Sequence, residues 1–141
     1  MDPTRRIAAL EAVPDESTYV FRVVETDGDA NEVREAILVR ENGGIECWLN
    51  YCQHFTHIKL DKGSGASMRN GEIICENHGA YFEAGSGECT FGPCEGAHLP
   101  DIEVAVDDGA VYLADDAYDL LGPGPIPEDE VDRTSTSNVE F

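Results

Sequence analysis

Two short segments combine the side chains that proteins use most often to bind transition metals. Cys52-Gln53-His54 is a C-x-H motif, and Cys75-Glu76-Asn77-His78 is a C-x2-H motif separated from it by twenty residues. Thiolate and imidazole groups are soft-to-borderline ligands. Each motif follows a run rich in β-branched and aromatic residues, so we expect both to lie in loops at the ends of strands. The sequence therefore predicts a metal site formed by Cys52, His54, Cys75 and His78.

The distribution of the four ligands bears on the kind of metal. A structural zinc finger usually pairs two cysteines in one knuckle and two histidines in another, whereas here each loop offers one of each. This order suits a two-iron centre in which the two cysteines bind one iron and the two histidines bind the other. Gly79, directly after His78, would let backbone N–H groups approach such a centre. A zinc-stabilised β module for protein interaction remains the alternative from a different class.

The two motifs resemble the signature of the Rieske [2Fe–2S] proteins, C-x-H followed by C-x2-H. The resemblance covers roughly residues 18–114 and includes Gly79-Ala80, Gly92-Pro93 and the closing segment 106–113. It implies a [2Fe–2S] cluster as cofactor. By resemblance, Cys52 and Cys75 hold the buried iron, and His54 and His78 hold the iron nearest the solvent and the redox partner.

The resemblance also implies a function. The chain looks like a soluble Rieske-type ferredoxin, a one-electron carrier between a reductase and an oxygenase or other oxidoreductase, and not an enzyme by itself. One alternative is the small subunit of a larger oxidoreductase of the nitrite-reductase type.

Two departures from the family pattern concern the surroundings of the cluster. The respiratory-complex branch has a disulfide-forming cysteine in each motif, and His57 and Asn77 occupy those positions here. That branch also hydrogen-bonds the cluster sulfurs through a Ser and a Tyr, where this chain has Ala80 and Phe82. Fewer hydrogen bonds leave the reduced cluster less stabilised, so we predict a potential near the low end of the Rieske range, about −150 mV.

The remaining cysteines and histidines are not predicted to be ligands. Cys47 lies inside a predicted strand beside a tryptophan and is expected to be a buried, apolar thiol. Cys89 and Cys94 are expected to be structural thiols near a third loop. His57 and His98 are expected to lie at the surface or to shield the site.

Short segments of high β-propensity recur along the chain with turn signals between them. They predict an all-β fold, a small antiparallel β-sandwich with a cluster-binding subdomain of two loops and flexible termini. Strict alternation at 102–106, followed by Asp107-Asp108-Gly109, predicts a hairpin with 111–113. The other predicted strands are 19–24, 36–39, 45–49, 72–74 and 80–82.

The ends of the chain differ in composition from its centre. Residues 1–16 are predicted to be a polar arm with one helical turn at Arg6 to Ala12. Residues 17–121 are predicted to form the Rieske-like domain. Residues 122–141 are rich in Pro, Ser, Thr and acids and are predicted to be a disordered tail.

The chain is strongly acidic, with 29 acidic and 9 basic side chains and a net charge of −20. The tail carries −4 and the arm −2, so −14 stays on residues 17–121. Such a charge opposes binding to nucleic acids and anionic membranes. It is typical either of a salt-adapted, halophile-like protein or of a docking surface for a basic partner, and its even spread favours the first. Because Lys59 and Lys62 follow Cys52 closely, we expect the least acidic surface near that motif.

The compartment is predicted from cysteine usage and hydropathy. Uninterrupted apolar runs are short, such as the four residues Ala36 to Val39, and no signal-peptide core is evident. Five cysteines, an odd number, favour metal ligands or buried thiols over disulfides. These features predict a cytoplasmic protein.

A salt-adapted protein should lose stability when its charges are unscreened. We expect the thermal unfolding midpoint to fall by several degrees when KCl is lowered from about 2 M to about 0.05 M, since the Debye length then grows several-fold. Circular dichroism measures the midpoint, and sucrose in place of KCl controls for solute exclusion. A midpoint that does not depend on KCl would contradict salt adaptation.

Overall fold

The computed structural model describes residues 3–15, 17–26, 32–41, 44–51, 59–61, 65–69, 71–75, 80–92, 96–124 and 126. Within these ranges the regular structure is β-strand, apart from two short 3-10 turns at Pro3–Arg5 and Leu10–Ala12. All strand pairs are antiparallel, which confirms the predicted all-β fold. The strands are β1 Arg6–Ala9, β2 Tyr19–Glu25, β3 Glu32–Glu41, β4 Gly44–Leu49, β5 Ser67–Arg69, β6 Glu72–Cys75, β7 Ala80–Glu83, β8 Cys89–Phe91, β9 Val104–Asp107, β10 Ala110–Leu113 and β11 Tyr118–Pro123.

The strands form three sheets. The central sheet has the order β11-β2-β3-β4, a second sheet has the order β5-β6-β7-β8, and a three-stranded sheet has the order β1-β10-β9. β2, β3 and β4 are consecutive antiparallel neighbours, as are β5 to β8. The central sheet contributes side chains to two separate apolar cores, one on each of its faces.

Strand β3 explains why the chain contains a continuous apolar run. Ala36, Ile37, Leu38 and Val39 are all fully buried. Ile37 and Val39 face one core, and Ala36 and Leu38 face the other. A strand covered on both faces has no solvent-facing positions, so it reads as an uninterrupted apolar run rather than an alternating one.

The two cores draw on different sheets. The site-side core joins the central sheet to the second sheet through residues such as Trp48, Ile73, Cys75 and Phe82. The terminal-side core joins the central sheet to the three-stranded sheet through residues such as Leu38 and Leu113. Because side chains alternate along each strand, one central sheet serves both cores.

The predicted hairpin at the end of the domain is confirmed. β9 and β10 pair with Asp107 opposite Ala110, which leaves Asp108 and Gly109 as a two-residue turn. Both turn residues have positive φ, 51° and 76°. This is the type I′ geometry that a tight antiparallel hairpin favours, and Asp-Gly is a sequence that adopts it.

The predicted helical turn at Arg6 to Ala12 is wrong. Residues 6–9 form β1, which pairs with β10 about a hundred positions later in the chain, and only Leu10–Ala12 form a 3-10 turn. Ile7, Ala8 and Val13 are buried in the terminal-side core. Pairing with a distant strand and burial of Ile7 outweigh the weak local helical preference.

Arginine side chains fasten this N-terminal segment to the rest of the fold. Arg5 donates from Nε to the carbonyl of Leu113 at 3.0 Å and from Nη2 to the carbonyls of Asp115 and Tyr118 at 2.8 and 2.9 Å. Arg40 donates to the carbonyl of Val13 at 2.7 Å. These cations hydrogen-bond backbone carbonyls at the ends of strands and in the connections next to them.

The C-terminal described residues continue beyond the predicted limit of the domain. β11 pairs with β2 along its length, and the Gly124 N–H donates to the Val20 carbonyl at 3.0 Å. Residues 122–124 and 126 therefore lie against the central sheet, whereas 127–141, in the predicted disordered tail, lie outside the described residues. The division into arm, domain and tail stays a prediction.

The described residues contain no helix with the length and apolar character that crossing a bilayer requires.

Gly87 offers a test of packing in the site-side core. It has φ +75°, and a Cβ there would lie 2.9 Å from ring carbon Cζ3 of Trp48. We expect Gly87→Ala to reduce the free energy of unfolding by about 2–4 kcal/mol, since backbone strain and a clash add. Gly109→Ala is the matched control, because Gly109 has φ +76° but nothing near its Cβ position. Urea denaturation measures both, and equal losses would contradict the clash.

Candidate metal centre

The described part of the chain contains one of the four predicted ligands. Cys75 is the last residue of β6 and its side chain is fully buried in the site-side core. Cys52, His54 and His78 lie outside the described residues, as do His57, Asn77 and Cys94. The structure therefore positions the segments that flank both motifs, and the ligand set stays a prediction.

The second motif begins within a β-hairpin. Cys75 is paired with Ala80 in the register of β6 and β7, so residues 76–79 connect two directly opposed positions. Ile73 and Cys75 on β6, and Ala80 and Phe82 on β7, point into the site-side core. The connection that bears His78 therefore starts and ends at the edge of this core.

The first motif lies between two flanks that are joined by reciprocal hydrogen bonds. Asn50 Nδ2 donates to the Asp61 carbonyl at 2.7 Å, and the Asp61 N–H donates to Asn50 Oδ1 at 2.7 Å. Both residues are fully buried. Next to Asp61, Leu60 is buried in the site-side core. The two ends of the segment 52–58 are thus held together over the core that contains Cys75.

Gly92, directly after β8, approaches the β6–β7 hairpin closely. Gly92 has φ +109°, and a Cβ there would lie 2.8 Å from the Cα of Ala80. No larger residue fits at position 92 without displacing β7. Beside it, the Phe91 ring is 63% exposed and lies 5.5 Å, centroid to centroid, from the tilted ring of Tyr81.

The two positions after His78 that depart from the family pattern are apolar and buried. Ala80 and Phe82 are both fully buried. Neither side chain carries a hydroxyl that could hydrogen-bond a sulfur atom. The prediction of a low potential therefore rests on two buried side chains that offer no hydrogen-bond donor.

The expectation of a less acidic surface near the first motif rests on Lys59 and Lys62 and stays a prediction, but Lys59 is engaged inside the fold. Its Nζ lies 2.7 Å from Oε2 of Glu35, a side chain that is fully buried. The Lys59 side chain is 22% exposed, and its charge neutralises an internal carboxylate. Lys62 lies outside the described residues.

The other described cysteines are buried away from solvent, as expected. Cys47 packs in the terminal-side core, where burial, and secondarily the nearby Asp115, Asp101 and Glu46, raise the pKa of its thiol well above the usual value. Cys47 is therefore protonated at neutral pH and is a poor metal ligand or nucleophile. Cys89 is also buried, and its Sγ donates to the Phe91 carbonyl at 3.3 Å.

The spare histidine His98 is exposed, as expected. It forms a single β-bridge with Glu88 and lines a cavity that is bordered by β4 and residues 101–104. Within the described ranges, no group of three or more His, Cys, Asp and Glu side chains could hold a metal ion. The structure thus supplies no competing metal site among the residues it describes.

Sequence comparison identifies the family to which this fold belongs. The sequence model of the Rieske [2Fe-2S] domain matches residues 6–108, which includes both motifs and every strand from β1 to β9. The chain belongs to the Rieske family. A Rieske domain carries a [2Fe–2S] cluster, and the buried Cys75 at the end of β6 is a fitting thiolate donor for it.

Solved structures share the Rieske fold with this chain at low identity. The ferredoxin of carbazole 1,9a-dioxygenase from Nocardioides aromaticivorans IC177 is 23% identical, with 78% of this chain and 95% of that chain covered and a TM-score of 0.60. A complex of reduced oxygenase and oxidized ferredoxin in carbazole 1,9a-dioxygenase contains a chain that is 22% identical, with coverages of 77% and 99% and a TM-score of 0.59. A putative NADPH nitrite reductase small subunit is 21% identical, with coverages of 77% and 96% and a TM-score of 0.51. No curated protein matches the chain.

Sequence reasoning missed one buried residue that contacts the flanks of the first motif. Glu35 is an acid within β3, directly before the four-residue apolar run, and it is fully buried. A carboxylate at this point of a two-sided buried strand was the available signal, because such a group must have partners.

Replacing Ala80 tests the effect of hydrogen bonding on the cluster. We expect the wild-type midpoint to be near −150 mV and Ala80→Ser to raise it by about 60 mV, which corresponds to one hydrogen bond of about 1.4 kcal/mol that favours the reduced form. Protein-film voltammetry measures both. Ala84→Ser, another buried alanine in the same core, should keep the wild-type midpoint. A clearly positive wild-type midpoint would contradict the prediction.

Proposed function

We propose that this Rieske protein is a one-electron carrier whose [2Fe–2S] cluster is held by Cys52, His54, Cys75 and His78. The observation that supports it most directly is the placement of Cys75, fully buried at the end of the β6–β7 hairpin, on the core that also holds Leu60 beside the first motif. Two loops that start from one core are suited to share one cofactor.

The proposed ligand set determines the charge of the site. Two ferric ions, two sulfides and two thiolates sum to zero, and the cluster when bound accepts and releases one electron. Four thiolates would give a charge of −2 before reduction, so two neutral histidines make the added electron less costly. Cys75 would contribute a thiolate from a fully buried side chain, and the iron would offset the cost of burying that negative charge.

The proposed partners are a reductase that supplies the electron and an oxygenase or other oxidoreductase that receives it. Support comes from the similarity to the ferredoxin of carbazole 1,9a-dioxygenase and to a chain from a complex of oxygenase and ferredoxin. In this proposal His54 and His78 form the exit route for the electron, and the chain does not itself transform a substrate. Its five cysteines suit the reducing cytoplasm.

A small subunit of a nitrite-reductase-type enzyme is the second candidate, and it is favoured by the likeness to the putative NADPH nitrite reductase small subunit. A carrier exchanges partners, whereas a subunit remains bound. Gentle affinity purification from the native cell distinguishes the two. Recovery of a stoichiometric, salt-resistant complex with a large flavin- or haem-containing protein would support the subunit.

Replacement of a proposed histidine ligand tests the cluster assignment. We expect His78→Cys to retain iron and sulfide but to lower the midpoint from about −150 mV toward the about −400 mV of four-thiolate clusters, because a thiolate adds negative charge. The rhombic electron paramagnetic resonance spectrum of the reduced protein should change with it. Cys75→Ser should reduce the iron content.

His98→Ala is the control for these variants, because His98 is exposed and belongs to no proposed ligand set. It should keep the wild-type spectrum and two iron atoms per chain. Loss of the cluster in His98→Ala, or an unchanged midpoint in His78→Cys, would contradict the assignment.

A further inference from the structure

Glu35 is one of the two acidic residues, with Asp61, that are fully buried in the part of the chain that the structure describes. Its side chain is fully inaccessible to solvent within β3. Three groups donate hydrogen bonds to it: Asn50 Nδ2 to Oε1 at 3.1 Å, and Lys59 Nζ and the Ile126 N–H to Oε2 at 2.7 and 2.8 Å. A charge without water depends on every such donor, since losing one exposes the cost of its burial.

Two of the donors lie on opposite flanks of the first motif. Asn50 precedes the segment 52–58 and Lys59 follows it. The backbone of Glu35 binds the upstream flank as well, because its N–H donates to Tyr51 Oη at 3.0 Å and its carbonyl accepts from the Asn50 N–H at 3.0 Å. One residue of β3 therefore holds both ends of the loop that bears Cys52 and His54.

A second layer of hydrogen bonds keeps the downstream flank in place. Asp61 is fully buried, and its carboxylate accepts from Thr18 Oγ1 at 2.6 Å and from the Gly65 N–H at 3.0 Å. Thr18 Oγ1 in turn accepts from the Ala66 N–H at 2.9 Å. The flank at Lys59–Asp61 is thereby tied to the segment before β2 and to the segment before β5.

The third donor comes from the far end of the chain. β11 ends at Pro123, the Gly124 N–H donates to Val20, and the next described residue, Ile126, donates its N–H to Glu35. Ile126 thus reaches the same carboxylate as both flanks of the first motif. The pairing of β-strands does not require this contact, because it lies beyond the end of β11.

We propose that Glu35 is a positioning residue for the cluster, and that the hydrogen bond from the Ile126 N–H is a latch on it. The inference rests on the proposed ligands Cys52 and His54, and it concerns how their loop is held. With this hydrogen bond formed, Glu35 fixes both flanks of the loop that bears Cys52 and His54. With the latch open, the buried carboxylate loses a donor, the flanks loosen and the cluster is lost more readily. The C-terminal segment therefore controls retention of the cluster.

The latch is tested by removing the backbone N–H of Ile126. In the full-length chain, Ile126→Pro removes the N–H that donates to Glu35, while Ile126→Ala keeps it and shortens the side chain. The measurement is the rate at which visible absorbance is lost in the presence of an iron chelator, well below the unfolding temperature. Because a hydrogen bond to a charged group is involved, we expect Ile126→Pro to lose the cluster about tenfold faster than wild type and Ile126→Ala to match wild type.

A second pair of variants tests Glu35 through its cation. Lys59→Met should also accelerate cluster loss, and the conservative Lys59→Arg should restore most of the retention. Since Lys59→Met leaves a buried carboxylate without its counter-charge and risks failure to fold, the Ile126 pair stands on its own. Arg34→Gln is the matched control. Arg34 precedes Glu35 on β3 and forms a partly exposed ion pair with Glu25 on β2, so its replacement should leave the rate of cluster loss unchanged.

A spectroscopic readout separates positioning from mere stability. If Glu35 and the latch position the loop, Ile126→Pro should broaden the electron paramagnetic resonance lines of the reduced cluster, whereas Ile126→Ala should not. Equal rates and equal line widths for the two variants would overturn the latch. A wild-type protein that shows no Rieske spectrum would instead overturn the proposed function, so the two failures are distinguishable.

Discussion

Burial of β3 on both faces is the constraint on which the rest of the structure depends. Four successive apolar residues, Ala36 to Val39, are completely covered, two by each core. A strand of this kind is stable only when a sheet or loop packs against each of its faces. The second sheet supplies one cover and the three-stranded sheet the other. Cys75, at the end of β6, therefore lies in the core where the second sheet packs on the central one.

Glu35 shows that the same strand also contacts both flanks of the first motif. One position before the apolar run, β3 places a carboxylate where water cannot reach it. The groups that neutralise and hydrogen-bond it come from both flanks of the first motif and from the C-terminal segment. The cost of burying a charge is thus offset only when three distant segments are in place together, which makes the arrangement specific as well as stable.

What the sequence could predict follows from how local each interaction is. The run 36–39 and the Asp108-Gly109 turn carry their signals in adjacent residues, so β3 and the final hairpin were predictable. β1 was mistaken for a helical turn because its partner β10 is distant in sequence. The metal motifs were visible as residue types and spacing, and the family match supports the cluster they imply. The partners of Glu35 were not predictable, because they meet only in the folded chain.

The scarce basic residues have a consequence for how the protein behaves in solution. Arg5 and Arg40 bind backbone carbonyls, and Lys59 binds Glu35. In the part of the chain that the structure describes, much of the positive charge is thus engaged by the protein itself. The outer surface therefore approaches a polyanion, surrounded by an atmosphere of mobile cations. A partner that approaches it displaces those ions, and their release into bulk solvent becomes an entropic contribution to every encounter.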